Sequence, residues 1–130
     1  MEPTTILFAC RQNAGRSQIA AALAKKLAPS GVTVLSAGTT PAKEIHPNVR
    51  EALAERGLEP ANPTPVLLTP ETVKESDWVI TMGCGESCPI FPGKHYEDWE
   101  IDDPAHMSPA EVEGVIAEIE TRIADLLARI

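Results

Sequence analysis

Cys10-Arg11-Gln12-Asn13-Ala14-Gly15-Arg16-Ser17 lies between two segments of opposite character. Residues 4–9 before it are an apolar run that suits a buried strand. Residues 16–28 after it are rich in alanine and leucine, a helical pattern stopped by Pro29-Ser30-Gly31. In an open parallel sheet, ligands bind beyond the carboxyl ends of the strands. A loop that ends on a helix N-terminus offers unpaired backbone N–H groups and the positive end of the helix dipole. The amides of Arg11, Gln12, Asn13, Ala14, Gly15 and Arg16 are therefore candidate partners for an anion. Cys10 opens the loop, a position that favours the thiolate. Arg16 closes it with a planar fork able to grip two oxygens of a tetrahedral anion. Ser17 can donate its hydroxyl to the Cys10 sulfur. Asn13 is one of the few residue types that tolerate a left-handed backbone. A Cys-x5-Arg spacing alone is weak, because a buried strand-end thiol and a solvated arginine would produce it too. The strand–loop–helix context and the adjacent Ser17 favour the anion.

Working outward, residues 32–35 read as a second strand ending at a Gly38 turn. Residues 46–56 carry Val49, Ala52 and Leu53 at helical spacing, with Gly57 as the stop. Residues 66–68 suit a short strand or an extended loop. Residues 70–75 form a short helix with Thr69 as N-cap and Pro70 in its first turn. Residues 78–82 are a third strand. Residues 83–107 are loop-like, with a short strand near Trp99. Residues 108–130 form a long helix, with Ser108 and Glu111 as a capping box. Alternating strands and helices predict an α/β fold with a parallel sheet covered on both faces.

The chain has 130 residues, which suits one domain over residues 1–130. Two Trp, two Phe and one Tyr make its core mostly aliphatic. The formal net charge of −8 argues against nucleic acid and anionic membranes as partners. It leaves a local anion site open, because surface charge is screened beyond ~8 Å. No apolar run approaches the ~20 residues of a membrane span. The start lacks the basic region of a signal peptide, so a cytoplasmic protein is expected. In a reducing compartment, three cysteines suit catalysis, redox chemistry or metal binding better than structural disulfides.

Asp102-Asp103-Pro104 precedes the last helix. Pro104 restricts Asp103 to extended geometry, which helps aim its carboxylate as a general acid for a leaving oxygen. An acidic residue before proline is also a common turn former. Cys84 and Cys88, flanked by Gly83, Gly85 and Pro89, are four apart and in a helical turn would share a face, close enough for a disulfide. They also suit inert thiols, or a metal site with Cys10 or a histidine. No second Cys/His pair follows, and His46, His95 and His106 are scattered, so no metal is expected.

Taken together, Cys10…Asn13…Arg16-Ser17, Ser36-Ala37-Gly38 after the second strand and Asp103-Pro104 near the end resemble the low-molecular-weight protein tyrosine phosphatase superfamily, and within it the arsenate reductases. The resemblance covers nearly the whole chain. It implies a three-layer sandwich with a four-stranded parallel sheet flanked by helices. Phosphatases of this type usually carry tyrosines after the Asp-Pro pair, where this chain has Ala105-His106-Met107. Cys84 and Cys88 occupy the place where thioredoxin-coupled reductases carry a redox pair. The resemblance implies that Cys10 attacks arsenate, that Asp103 protonates the leaving oxygen, and that Cys84 and then Cys88 carry a disulfide relay. It implies arsenate as substrate, phosphate and sulfate as competing anions, and thioredoxin or a low-molecular-weight thiol such as mycothiol as reductant. A monomer without an organic cofactor is expected. The chain departs from the family pattern at Gln12, usually glycine. It departs again at Ala21, where many reductases carry a glutamate that helps bind potassium.

Overall fold

A computed structural model describes residues 3–83 and 93–130. Strand β1 (Thr4–Cys10) leads into helix α1 (Arg16–Leu27), followed by β2 (Val32–Gly38), α2 (Pro47–Glu55), α3 (Pro70–Lys74), β3 (Trp78–Met82), β4 (His95–Asp98), a single 3₁₀ turn (Pro104–His106) and α4 (Pro109–Arg129). The strands form one sheet in the order β2-β1-β3-β4, and every neighbouring pair is parallel. Helices cover both faces, as expected.

Strand β1 is central and buried on both sides. Ile6 and Phe8 pack with α1, α2 and α4, whereas Leu7 packs with Val73 of α3 and Val79. This explains the apolar run from Ile6 to Cys10, where no position faces water. Fully burying each of these large side chains contributes about 1.5–3 kcal/mol. Helix α4 shows the opposite pattern. Val112, Val115, Ile116, Ile119, Ile123 and Leu126 form one buried stripe on an otherwise polar helix. Its start is held by the expected capping box, in which Ser108 Oγ accepts from Glu111 N–H and Glu111 Oε1 accepts from Ser108 N–H.

Helix α1 buries residues from Ser17 through Ala24 on nearly every side, and its small side chains let sheet and helix approach closely. Extended Ala28 ends it before Pro29, whose ring disfavours a helical residue in front of it.

One expectation changes. Strand β2 runs to Gly38 rather than stopping at Leu35, because Ser36, Ala37 and Gly38 pair with Phe8, Ala9 and Cys10. Pairing with the central strand overrides the weak strand preference of small residues. Gly38 is thus a strand end, bridged to Leu67 by Gly38 N–H to Val66 O and Leu68 N–H to Gly38 O. The fourth strand lies just ahead of Trp99, whose buried ring packs 6.1 Å from Phe8.

Candidate active site

Because β1 is central, the loop after Cys10 rises from the carboxyl edge of the sheet beside the ends of β2 and β3. Cys10 is free and 2% exposed. Its Sγ lies 2.9 Å from Ser17 Oγ and accepts the Asn13 N–H at 3.3 Å. Asn13 Nδ2 donates to Ser17 Oγ at 2.7 Å, which leaves the Ser17 proton available for the sulfur. Two donors therefore converge on Cys10. The N–H groups of residues 12, 14, 15 and 16 have no hydrogen-bond partner among the described residues. The last of them opens α1, whose N-cap, Gly15, provides no side-chain cap.

The loop is braced from behind. Asn13 adopts φ 52°, the left-handed geometry expected of it. Its Oδ1 accepts from Val66 N–H at 2.9 Å, Gln18 Nε2 at 3.1 Å and Asn62 Nδ2 at 3.5 Å. Gln18 Nε2 also donates to Asn13 O, and Gln18 Oε1 accepts from Asn62 N–H. Asn62 Nδ2 reaches Ser36 Oγ at 2.8 Å and Ser36 O at 3.2 Å. Gly38 belongs to the same brace. A Cβ there would meet Arg11 O and Asn13 N at 2.8 Å, so only glycine lets the loop lie against β2.

These residues do not fit a potassium ion. Ala21 is fully buried and carries no carboxylate, and Asn13 Oδ1 already faces three N–H donors. Among the described residues, no cluster of His, Cys, Asp or Glu side chains is arranged to hold a metal.

Arg16 lies across the mouth of the loop. Its Nη1 donates to Ile101 O at 3.2 Å, and its Nη2 lies 3.6 Å from Asp103 Oδ2. Gly83, at the end of β3, makes room for it, because a Cβ there would sit 2.5 Å from Arg16 Nη1. Asp103 has the extended backbone expected before Pro104, and its Oδ1 caps the 3₁₀ turn by accepting from Ala105 N–H. Asn48 of α2 clamps that turn, with Nδ2 donating at 2.7 Å to both Pro104 O and Met107 O.

Cys10, Arg11, Gln12, Gly15 and Arg16 line a cavity of about 150 Å³ with Asp103 on its rim. His46 completes the wall. Burial holds its imidazole below the ordinary value; Arg16 and His106 push the same way, and Asp103 opposes them.

Most of the sequence-derived site thus meets in one place. Asn13 and Ala14 support it from behind instead of lining it, and both are fully buried. Asp102 is exposed and lines none of the cavity. Cys84 and Cys88 lie outside the described residues. Sequence reasoning missed His46, Asn48, Gln18 and Asn62. The signal nearest to them was His46-Pro47-Asn48, with proline in the first helical turn, which marks a helix start but not what that start faces.

Residues 5–130 match the family model of low molecular weight phosphotyrosine protein phosphatase, and the chain belongs to that family. Within it, the chain is similar to arsenate reductases. Arsenate reductase 2 of Staphylococcus haemolyticus is 35% identical over 133 residues, which cover 99% of this chain and 100% of that protein. A thioredoxin-dependent arsenate reductase of Corynebacterium glutamicum superposes with a TM-score of 0.86 at 47% identity over 98% of this chain. This chain spans 62% of that structure's length. An arginine phosphatase of Geobacillus stearothermophilus superposes with a TM-score of 0.80 at 29% identity, over 98% of this chain and 92% of that one.

Proposed function

We propose that this protein reduces arsenate to arsenite. The observation that carries the reading is the small polar cavity with the Cys10 sulfur within it and Arg16 and Asp103 at its mouth. Its volume suits a tetrahedral oxyanion, its unpaired amides and guanidinium suit negative charge, and no tyrosine lines it to stack an aromatic substrate. Similarity to arsenate reductases supports the same choice.

Arsenate binds the loop amides and Arg16. The Cys10 thiolate attacks arsenic and forms an S–As bond, while Asp103 gives a proton to the departing oxygen, which leaves as water. Cys84 then attacks the Cys10 sulfur. The S–S bond forms, the S–As bond breaks, and its electron pair stays on arsenic, which leaves as arsenite. Cys88 attacks Cys84, releasing Cys10 as thiolate and leaving a Cys84–Cys88 disulfide. An external dithiol such as thioredoxin reduces that bridge. Two thiols are oxidised for each arsenic reduced.

A phosphatase would use Cys10, Arg16 and Asp103 in the same way, with water completing the cycle and the other two cysteines idle. The likeness to an arginine phosphatase favours testing it. The decisive assay is arsenate-dependent NADPH oxidation with thioredoxin and its reductase, repeated with a low-molecular-weight thiol system and with phosphoarginine and aryl phosphates. Under the relay, Cys88→Ser releases one arsenite per enzyme and traps a Cys10–Cys84 bridge, visible by non-reducing peptide mapping. Cys84→Ser stops after the first attack. Wild-type rates for both variants with thioredoxin would overturn the relay. Hydrolysis without any arsenate reduction would make the protein a phosphatase.

A further inference from the structure

His46 has no part in the chemistry above, yet it forms one wall of the cavity. Its backbone is fixed on both sides. His46 N–H donates to Ala14 O at 3.0 Å, and His46 O accepts from Val49 N–H and Arg50 N–H at the start of α2. The ring reaches the cavity across Gly15. A Cβ at Gly15 would lie 3.3 Å from His46 Cδ2 and 3.0 Å from Pro104 Cγ, so an ordinary side chain would push both away. Although His46 is the N-cap of α2, its ring makes no capping hydrogen bond, and no hydrogen bond to it occurs among the described residues. An imidazole anchored this firmly and left unpaired beside an anion cradle has its hydrogen-bonding capacity free for a ligand.

We infer that His46 is a further oxyanion-contacting residue, which donates an imidazole N–H to the bound anion and strengthens that contact by taking up a proton. The inference rests on the anion-site reading proposed above. The charged and titratable groups around the ring are Arg16 of α1, Arg11 and Cys10 of the loop, Asp103 on the rim and His106 of the 3₁₀ turn. Without a bound anion, burial holds the ring's pKa below its ordinary value; Asp103 opposes this, and His106 and Arg16 add to it. A dianion beside it favours the charged ring, so anion binding and proton uptake are coupled. At neutral pH His46 supplies one ordinary hydrogen bond. Below its titration it supplies a charge-assisted one, and affinity rises as pH falls.

Sulfate separates this from the redox chemistry, because it is not reduced and remains a dianion across the range. Its binding is measured by titration calorimetry at about pH 7.5 and about pH 5.5. The comparison is made in a Cys10→Ser background, where no thiol titrates at residue 10, with His46 intact or replaced by Gln or Phe. With His46 intact, affinity is expected to rise on the order of fivefold on acidification, as a neutral hydrogen bond becomes a charged one. Protons are taken up on binding, seen as a heat that depends on the buffer's ionisation enthalpy. His46→Gln keeps most of the affinity at the higher pH and loses most of the pH-dependent gain and the proton uptake. His46→Phe is weaker at both. Unchanged melting temperatures establish that these variants fold. The same pH-dependent gain and proton uptake in His46→Gln would overturn the inference while leaving the anion site intact. No sulfate binding at either pH, and none to the wild type, would overturn the anion site and this inference together.

Discussion

The two walls of the cavity are built on different plans. On one side, Cys10 is 2% exposed, and the loop behind it is held by hydrogen bonds through Asn13, Ser17, Gln18 and Asn62. On the other, the Asp103 side chain is 54% exposed and is aimed by Pro104, by its cap to Ala105 and by the Asn48 clamp. The difference follows from the tasks proposed for the walls. An anion cradle gains most when its donors are oriented before the ligand arrives, because reorienting dipoles around a charge costs free energy. A general acid must recover its proton every cycle, and contact with water supplies it.

The largest effect is expected on the open wall. Asp103→Asn preserves the acceptor that caps Ala105 but cannot give up a proton in the same way. It should slow arsenate turnover by roughly 10²–10⁴-fold. Sulfate should still protect Cys10 from alkylation in this variant. Steady-state rates and alkylation kinetics check both halves, and equal loss of rate and protection would show that the two walls are not separable.

The closed wall should fail through stability. Asn13→Ala removes the acceptor for Val66 N–H and Gln18 Nε2 and places alanine at positive φ. Orphaning a buried donor such as Gln18 Nε2 costs about 1–3 kcal/mol, and the part-buried Val66 N–H and the positive φ add to it, so a loss of roughly 2–4 kcal/mol is expected in denaturant unfolding. Asn48→Ala removes a donor from two carbonyls at a partly exposed turn that water can reach, and about 1 kcal/mol is expected. It should act mainly on the turnover rate, by loosening Asp103. Equal destabilisation by the two variants would erase the contrast between the walls.

The smallest effect lies away from the cavity. The Arg129 guanidinium holds the Glu97 carboxyl below its ordinary value of 4.5; the Trp99 indole N–H adds to this and burial opposes it. A depressed carboxyl stabilises the fold above its unfolded value and loses that contribution as pH falls through its folded value. Arg129→Ala should therefore lower the melting temperature slightly at neutral pH, and the difference from wild type should vanish in acid well below 4.5. A difference that persists in strong acid would assign the effect to packing of Arg129 over the Trp78 ring.

The amino-acid sequence by itself determined most of the elements and the candidate reacting groups. Capping residues, proline restriction and the spacing from Cys10 to Ser17 act within a few residues, so Thr69, Ser108, Asn13 and Asp103 carried their geometry in local chemistry. Tertiary structure decided what surrounds those groups. Asn62 reaches Ser36 across 26 positions, Asn48 reaches Pro104 across 56, and Arg16 reaches Ile101 across 85. No periodicity encodes such pairs, because they exist only once parallel strands bring distant segments to one edge of the sheet. His46 shows this best. As a residue in the chain it is one of three scattered histidines, and only the packing of α2 against Gly15 and Pro104 turns its ring toward the anion loop.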